Sequence, residues 1–219
     1  MAIILNIETA TKNCSVSLSK NGKTIFFKEH ADQGYSHAEK LHVFIDEVIK
    51  ECQINISEIN AVAVSKGPGS YTGLRIGVSA AKGLCYALNI PLIAVDTLEI
   101  LANQVQKKDG LIVPMLDARR MEVYSAIFNN DLEKISETKA EILSTESYDE
   151  INEKIYFVGD CQEKCQTVLT KNNFEFLPEI VYPSANEMSK ISYQKFENKQ
   201  FEDVAYFEPF YLKDFLLTK

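Results

Sequence analysis

Short apolar runs open the chain. Ile3 to Ile7 closes on Glu8 and Thr9, Cys14-Ser15-Val16-Ser17-Leu18-Ser19 follows, and Thr24 to Phe27 lies beyond the pair Asn21-Gly22. Period-two alternation in the second run marks a strand with one buried face, and Asn-Gly between apolar runs is a hairpin turn, so the three runs predict a strand meander. From Ser36 to Cys52 the period changes: Leu41, Phe44, Ile45, Val48, Ile49 and Cys52 recur at three and four, which predicts an amphipathic helix. Ile59 to Val64 returns to a strand, and a glycine-rich loop then leads into a helical pattern reaching Leu88. Pro91 to Val95 is a further strand, and Thr97 is expected to cap a helix through Val105 with its hydroxyl. The predicted order is βββαβαβα.

The second half opens in the same way. Leu111 to Leu116 runs into Asp117-Ala118-Arg119, and Glu122 to Phe128 answers it, repeating strand, acidic turn, strand. A strand at Ile155 to Val158, a helix from Cys161 and a helix from Ser184, with Glu187 completing a capping box, account for the rest. Charge and glycine interrupt the periodic segments between Lys107 and Gly110, which predicts two domains, 1–108 and 109–219.

The loop between the fourth strand and its helix reads Gly67-Pro68-Gly69-Ser70-Tyr71-Thr72-Gly73-Leu74-Arg75-Ile76-Gly77. Glycines at a helix start let the backbone approach a ligand or another element closely, and the free N–H groups there favour an anion. Gly67, Gly69, Ser70, Thr72, Gly73 and Arg75 are therefore candidate phosphate contacts. The terminal Lys-Ser/Thr of a P-loop is absent and the Rossmann spacing is not met, so a tight turn that packs helix on sheet is the competing reading.

Composition narrows the partners. A formal charge of −8 disfavours autonomous binding to nucleic acid, although Lys66, Arg75 and Lys82 gather at the glycine loop and Arg119 and Arg120 stand together. The five dispersed cysteines, in a chain without a recognisable leader, read as reduced and cytoplasmic. Cys161 and Cys165 stand four apart without further ligands of zinc spacing nearby, and no apolar run reaches the ~20 residues of a membrane span.

The duplicated meander resembles the actin, sugar kinase and Hsp70 (ASKHA) superfamily of α/β proteins, with two similar domains of mixed sheets flanked by helices. Within it, Ile4 to Thr9 with Cys14 to Leu18, the run Ala61 to Val64 entering the glycine loop, Ala81-Lys82-Gly83-Leu84, Asp117-Ala118-Arg119-Arg120 with Glu122-Val123-Tyr124, and Pro209 to Lys213 resemble the TsaB (YeaZ) family. That resemblance spans nearly the whole chain. It implies a non-catalytic subunit that activates the paralogue TsaD in forming threonylcarbamoyladenosine beside the tRNA anticodon. TsaE is implied as a further partner, tRNA is reached through the complex, and ATP and metal belong to partner subunits. Docking is implied through the two helices of the first domain.

The residues carry little catalytic equipment. His37 and His42 are five apart, about 140° around a regular helix, so they cannot share a metal, and His30 has no evident ligand cluster. Glu8, Thr9 and Asp117 occupy hairpin turns where the superfamily handles nucleotide, but Asp160 follows Gly159 where a phosphate would sit. The helices are apolar over more than one stripe, and Leu41, Phe44, Ile45, Val48, Leu74, Val78, Ala81, Lys82 and Cys85 are expected to form the docking face, with self-pairing when the partner is absent. An autonomous ATP-dependent transferase, or a peptidase acting on TsaD, are the alternatives.

Overall fold

The computed structural model describes residues 1–31, 37–106 and 109–213, so the expected helix start at Ser36 and the domain boundary at Lys107 and Lys108 lie outside the described residues. The chain divides into two compact units, one formed by Met1–Thr97 together with the chain from Pro183 onward, the other by Leu98–Tyr182. The expected division at 108 is thus corrected: the C-terminal helix returns to the first unit.

In that unit β1 (Ile3–Glu8), β2 (Asn13–Lys20) and β3 (Lys23–Ala31) form the meander, turned at Asn21 and Gly22 with φ of 50° and 78°. α1 (His37–Glu51) leads to β4 (Ala61–Gly67), α2 (Tyr71–Leu88) to β5 (Leu92–Asp96), and the sheet order is β3-β2-β1-β4-β5. β4 lies parallel to β1 and β5 parallel to β4, the geometry that helical crossovers impose. Leu5, Ile7, Cys14, Val16 and Leu18 point to one face, where they share a core with Leu41, Val48, Val78, Ala81 and Cys85 of α1 and α2.

The opposite face overturns the expectation of one buried side. Asn6, Ser15, Ser17 and Ser19 are also buried, beneath α5 (Ala185–Glu197). Their polar groups find partners in that helix: Ser17 Oγ donates to the Ala185 carbonyl at 2.7 Å, Ala185 N–H to Ser15 Oγ at 3.0 Å, and Ser192 Oγ to Asn6 Oδ1 at 2.7 Å. Asn6 Nδ2 in turn donates to Ser17 Oγ at 3.0 Å. A strand face of hydroxyls can be buried only where another element satisfies them, so this network draws the C-terminal helix onto the first sheet. At its start Ser184 Oγ accepts from Asn186 N–H at 3.2 Å, while Glu187 accepts from Asn186 Nδ2 at 2.7 Å, so the expected capping box does not close.

The second unit repeats the plan. β6 (Leu111–Asp117), β7 (Glu122–Ser125), β8 (Lys139–Ile142), β9 (Ile155–Val158) and β10 (Phe174–Phe176) order as β10-β9-β6-β7-β8, with β6 antiparallel to β7 and parallel to β9. α3 (Thr97–Ala102) runs into the unit, and α4 (Gln162–Cys165) is a single turn, shorter than the helices expected from Thr97 and Cys161. Thr97 Oγ1 is buried with no hydrogen-bond partner, so its hydroxyl is not the expected cap.

Replacing Ser192 by Ala would leave the Asn6 carbonyl oxygen buried without its donor and should cost about 1–3 kcal/mol. Urea denaturation measures this as a lower midpoint with unchanged slope; an unchanged midpoint would remove the polar network from the account of why α5 docks.

Candidate functional site

The glycine loop is pressed against the β1–β2 turn. A Cβ added at Gly69 would lie 2.4 Å from the Ala10 carbonyl oxygen, at Gly73 2.1 Å from that of Thr9, and at Gly77 2.2 Å from Thr9 Oγ1. Gly67, at φ 113°, would meet the Phe210 carbonyl oxygen at 2.6 Å. The polar groups close the same junction: Ser70 N–H donates to the Ala10 carbonyl at 2.7 Å, Ser70 Oγ caps α2 by accepting from Gly73 N–H, and Thr9 Oγ1 donates to the Gly73 carbonyl at 2.8 Å. These are packing glycines. The phosphate cradle expected at Gly67, Gly69, Ser70 and Gly73 is filled by the chain itself, and only Thr72 and Arg75 of that set are exposed.

Beneath the loop sit two buried titratable groups. Glu8 Oε1 accepts from Ala10 N–H at 2.5 Å, and burial pushes the carboxyl up to about 7 against the opposing pull of that bond and of Ser65. Its other oxygen is buried with no hydrogen-bond partner. His37 Nε2 lies 2.7 Å from the Thr11 carbonyl, which can only accept, so that nitrogen carries the proton. Burial also holds the His37 imidazole below its ordinary range. His42 is exposed on α1. Among the described residues no group of three His, Cys, Asp or Glu side chains is placed to hold a metal.

The expected docking residues lie inside the unit. Leu41, Val48, Leu74, Val78, Ala81 and Cys85 are fully or almost fully buried, and Phe44 and Ile45 are 8% and 6% exposed. They are core, because the sheet takes the wide apolar stripe of both helices, and a charge introduced at Leu74 or Val78 would probe folding rather than docking. Lys82 is occupied as well: its Nζ donates to the carbonyls of Ala205 and Phe207 at 3.1 and 3.0 Å. The chain after α5 runs along α2, where Phe210 N–H donates to the Lys66 carbonyl at 2.7 Å. The Tyr211 ring lies tilted against Tyr71 with centroids 5.0 Å apart, and the Arg75 guanidinium lies 4.4 Å from the Tyr71 ring.

What α2 turns outward is a line of small residues. Ser79, Gly83 and Ala87 are exposed at four-residue spacing, beside Tyr86 at 86% and with Val43 of α1 at 50%. A Cβ at Gly83 would meet nothing within 4 Å. Nothing in its own unit requires glycine there. The spacing was legible in the sequence, but the inward glycines and outward ones could be separated only by knowing which face the sheet takes.

In the second unit the acidic turn is closed too. Asp117 N–H donates to Asp160 Oδ1 at 2.8 Å, and Lys164 Nζ bonds the Asp117 carboxylate. Gly159, at φ 124°, lies where any Cβ would fall 1.8 Å from the Met115 carbonyl oxygen. Cys161 and Cys165, 3.6 Å apart at sulfur, are core residues beside Met115.

Two mixed five-stranded sheets of one shared order, each flanked by helices, give the duplicated α/β fold expected of the ASKHA class. The family model described as TsaD, tRNA N6-adenosine threonylcarbamoyltransferase, matches residues 31–214. The tRNA threonylcarbamoyladenosine biosynthesis protein TsaB of Escherichia coli K12 is 30% identical over 96% of this chain and 94% of its own length. The tRNA N6-adenosine threonylcarbamoyltransferase of Bacillus thuringiensis is 32% identical over 68% of this chain and 49% of its own. The solved YeaZ of Pseudomonas aeruginosa superposes with a TM-score of 0.81 at 22% identity, covering 97% of this chain and all of that one. The chain belongs to the TsaB (YeaZ) family, within the broader group that the TsaD model describes.

Gly73→Ala should destabilise the protein by about 2–3 kcal/mol, since its Cβ meets backbone that cannot rotate away; a thermal melt like the wild type would refute the packing role. For Glu8 the sign is set by a folded value of about 7 above the ordinary 4.5. Its share of stability is complete below the lower value and is lost as pH rises through the higher. Glu8→Gln, with no proton to lose, should therefore gain on the wild type across that window, by up to about 3 kcal/mol at alkaline pH. Parallel stability–pH curves for the two proteins would contradict the buried neutral acid.

Proposed function

We propose that this chain is the docking and activating subunit of a tRNA threonylcarbamoyladenosine assembly, binding a TsaD-type paralogue through the outer face of α1 and α2 and transferring no group itself. The single observation that carries the reading is the outward Ser79-Gly83-Ala87 line beside Tyr86 and Val43. An exposed mid-helix glycine weakens a helix by roughly 0.5–1 kcal/mol relative to alanine, and close approach of a second helix gives that glycine a use. The names carried by the relatives support the reaction, and the likeness to a threonylcarbamoyltransferase supports the choice of a paralogue as partner. On this reading ATP and metal are held by partner subunits, TsaE joins the pair, and the same face pairs with a second copy when the chain is alone.

An autonomous transferase built on Glu8, Asp117 and the glycine loop has the geometry against it. The loop donors at Ser70 and Gly73 are taken, and Glu8 is fully buried, with its carboxyl raised by burial to about 7. The proposal is tested by reconstituting the modification with each subunit omitted in turn and reading nucleosides by mass spectrometry. Activity should vanish without this chain; full activity in its absence overturns the reading. Gly83→Ala should raise the stability of the isolated chain by about 0.5–1 kcal/mol. Gly83→Leu should leave the fold intact yet weaken binding to the paralogue at least about tenfold in calorimetry, and unchanged affinity would exclude this face.

A further inference from the structure

The hairpin between β6 and β7 carries two arginines in a conformation that arginine rarely takes. Arg119 and Arg120 have φ of 72° and 50° in succession, where Asn, Asp or Gly would sit with less strain. Both side chains are exposed. The turn gains nothing from a guanidinium that points to solvent, so the residue types at these positions need a reason outside the fold.

The surroundings hold the turn rigid. Arg119 N–H donates to Asp117 Oδ1 at 3.0 Å, and Asp117 N–H to Asp160 Oδ1 at 2.8 Å. Ala118 N–H donates to the Glu122 carbonyl and Glu122 N–H to that of Arg119, both at 3.1 Å. Lys164 Nζ completes the clamp by donating to the Asp117 carboxylate and to the carbonyls of Arg120 and Glu122, each of the latter at 2.8 Å. Lys164 also neutralises Asp117, the carboxylate two residues before Arg119. The result is a pair of adjacent guanidinium groups on a fixed tip.

We infer that the Arg119–Arg120 turn of the Leu98–Tyr182 unit binds the phosphodiester backbone of RNA. A guanidinium presents paired donors that match a phosphate bidentately, and a preformed tip loses little freedom on contact. With a net charge of −8 the chain repels a polyanion at long range, so any contact it makes must be local and cationic. That the anion is RNA rests on the proposed role in a tRNA-modifying assembly.

The test uses Arg119→Asn with Arg120→Gly, residues that accept positive φ, so the hairpin survives while both charges go. In the reconstituted assembly the KM for tRNA should rise about tenfold, and the log–log dependence of tRNA affinity on salt should become shallower by about 1 to 2. Melting temperature, affinity for the paralogue and kcat at saturating tRNA should hold. Unchanged KM and salt slope in an assembly that still requires this chain overturn the inference and leave the proposed function standing. A weakened heterodimer with normal tRNA affinity overturns it too, in favour of an acidic protein surface. Loss of the requirement for the chain is read separately in the omission experiment.

Discussion

The first unit depends on a backbone-to-backbone contact that only glycine permits. Gly69 and Gly73 bring the entry of α2 against the carbonyls of Ala10 and Thr9, and Gly77 takes the Thr9 hydroxyl into the helix groove. Everything that fixes the helix follows from this approach: the Ser70 cap, the Thr9 bond to Gly73, and the seating of His37 beside the same turn. A helix held at its first two turns cannot rotate about its axis, so the residues on its far side keep one orientation. Tight inner packing is therefore what gives the outer face of α2 a defined shape.

Glycine-rich loops at helix starts are easily taken for anion sites, and here the same residues are used to exclude one. A phosphate cradle needs free N–H groups and open space above them. This loop spends its donors on Ala10 and on its own cap, and carbonyl oxygens fill the space. The Glu8 carboxyl below it fits the same picture, since it is fully buried and one of its oxygens is taken by the Ala10 N–H.

Much of the architecture was legible in the sequence for simple physical reasons. The Asn21-Gly22 turn, the period-two run in β2 and the three-and-four spacing of α1 each have one low-energy reading, and the strand–helix order of the first unit follows from them. β8 and β10 were not legible, because strands of three and four half-exposed residues carry too few apolar positions to show a period. The apolar residues expected at a docking face are buried in the unit itself, for a deeper reason. Apolar spacing identifies a face that leaves water, but burial against the chain's own sheet and burial against a partner look alike in sequence. Leu41, Val48, Leu74 and Val78 satisfy the first, whereas Gly83 and its small neighbours stay exposed on a face that hydrophobicity ranks low.

The return of α5 to the first sheet illustrates the converse error. A serine on every second position of β2 reads as a solvated face, yet Ser15, Ser17 and Ser19 are buried and hydrogen-bonded. Hydroxyls on a strand are neutral in this respect: they suit water, and they equally suit a helix whose own polar groups complement them. A helix docked through Asn6, Ser15, Ser17 and Ser192 needs directional bonds to each, whereas an apolar stripe tolerates sliding. Such a contact specifies register as well as attachment. The first sheet is thus gripped on one side by backbone contacts at glycine and on the other by a polar lattice, and both depend on geometry more than on buried area. A unit built in that way presents surfaces whose shape is fixed from within.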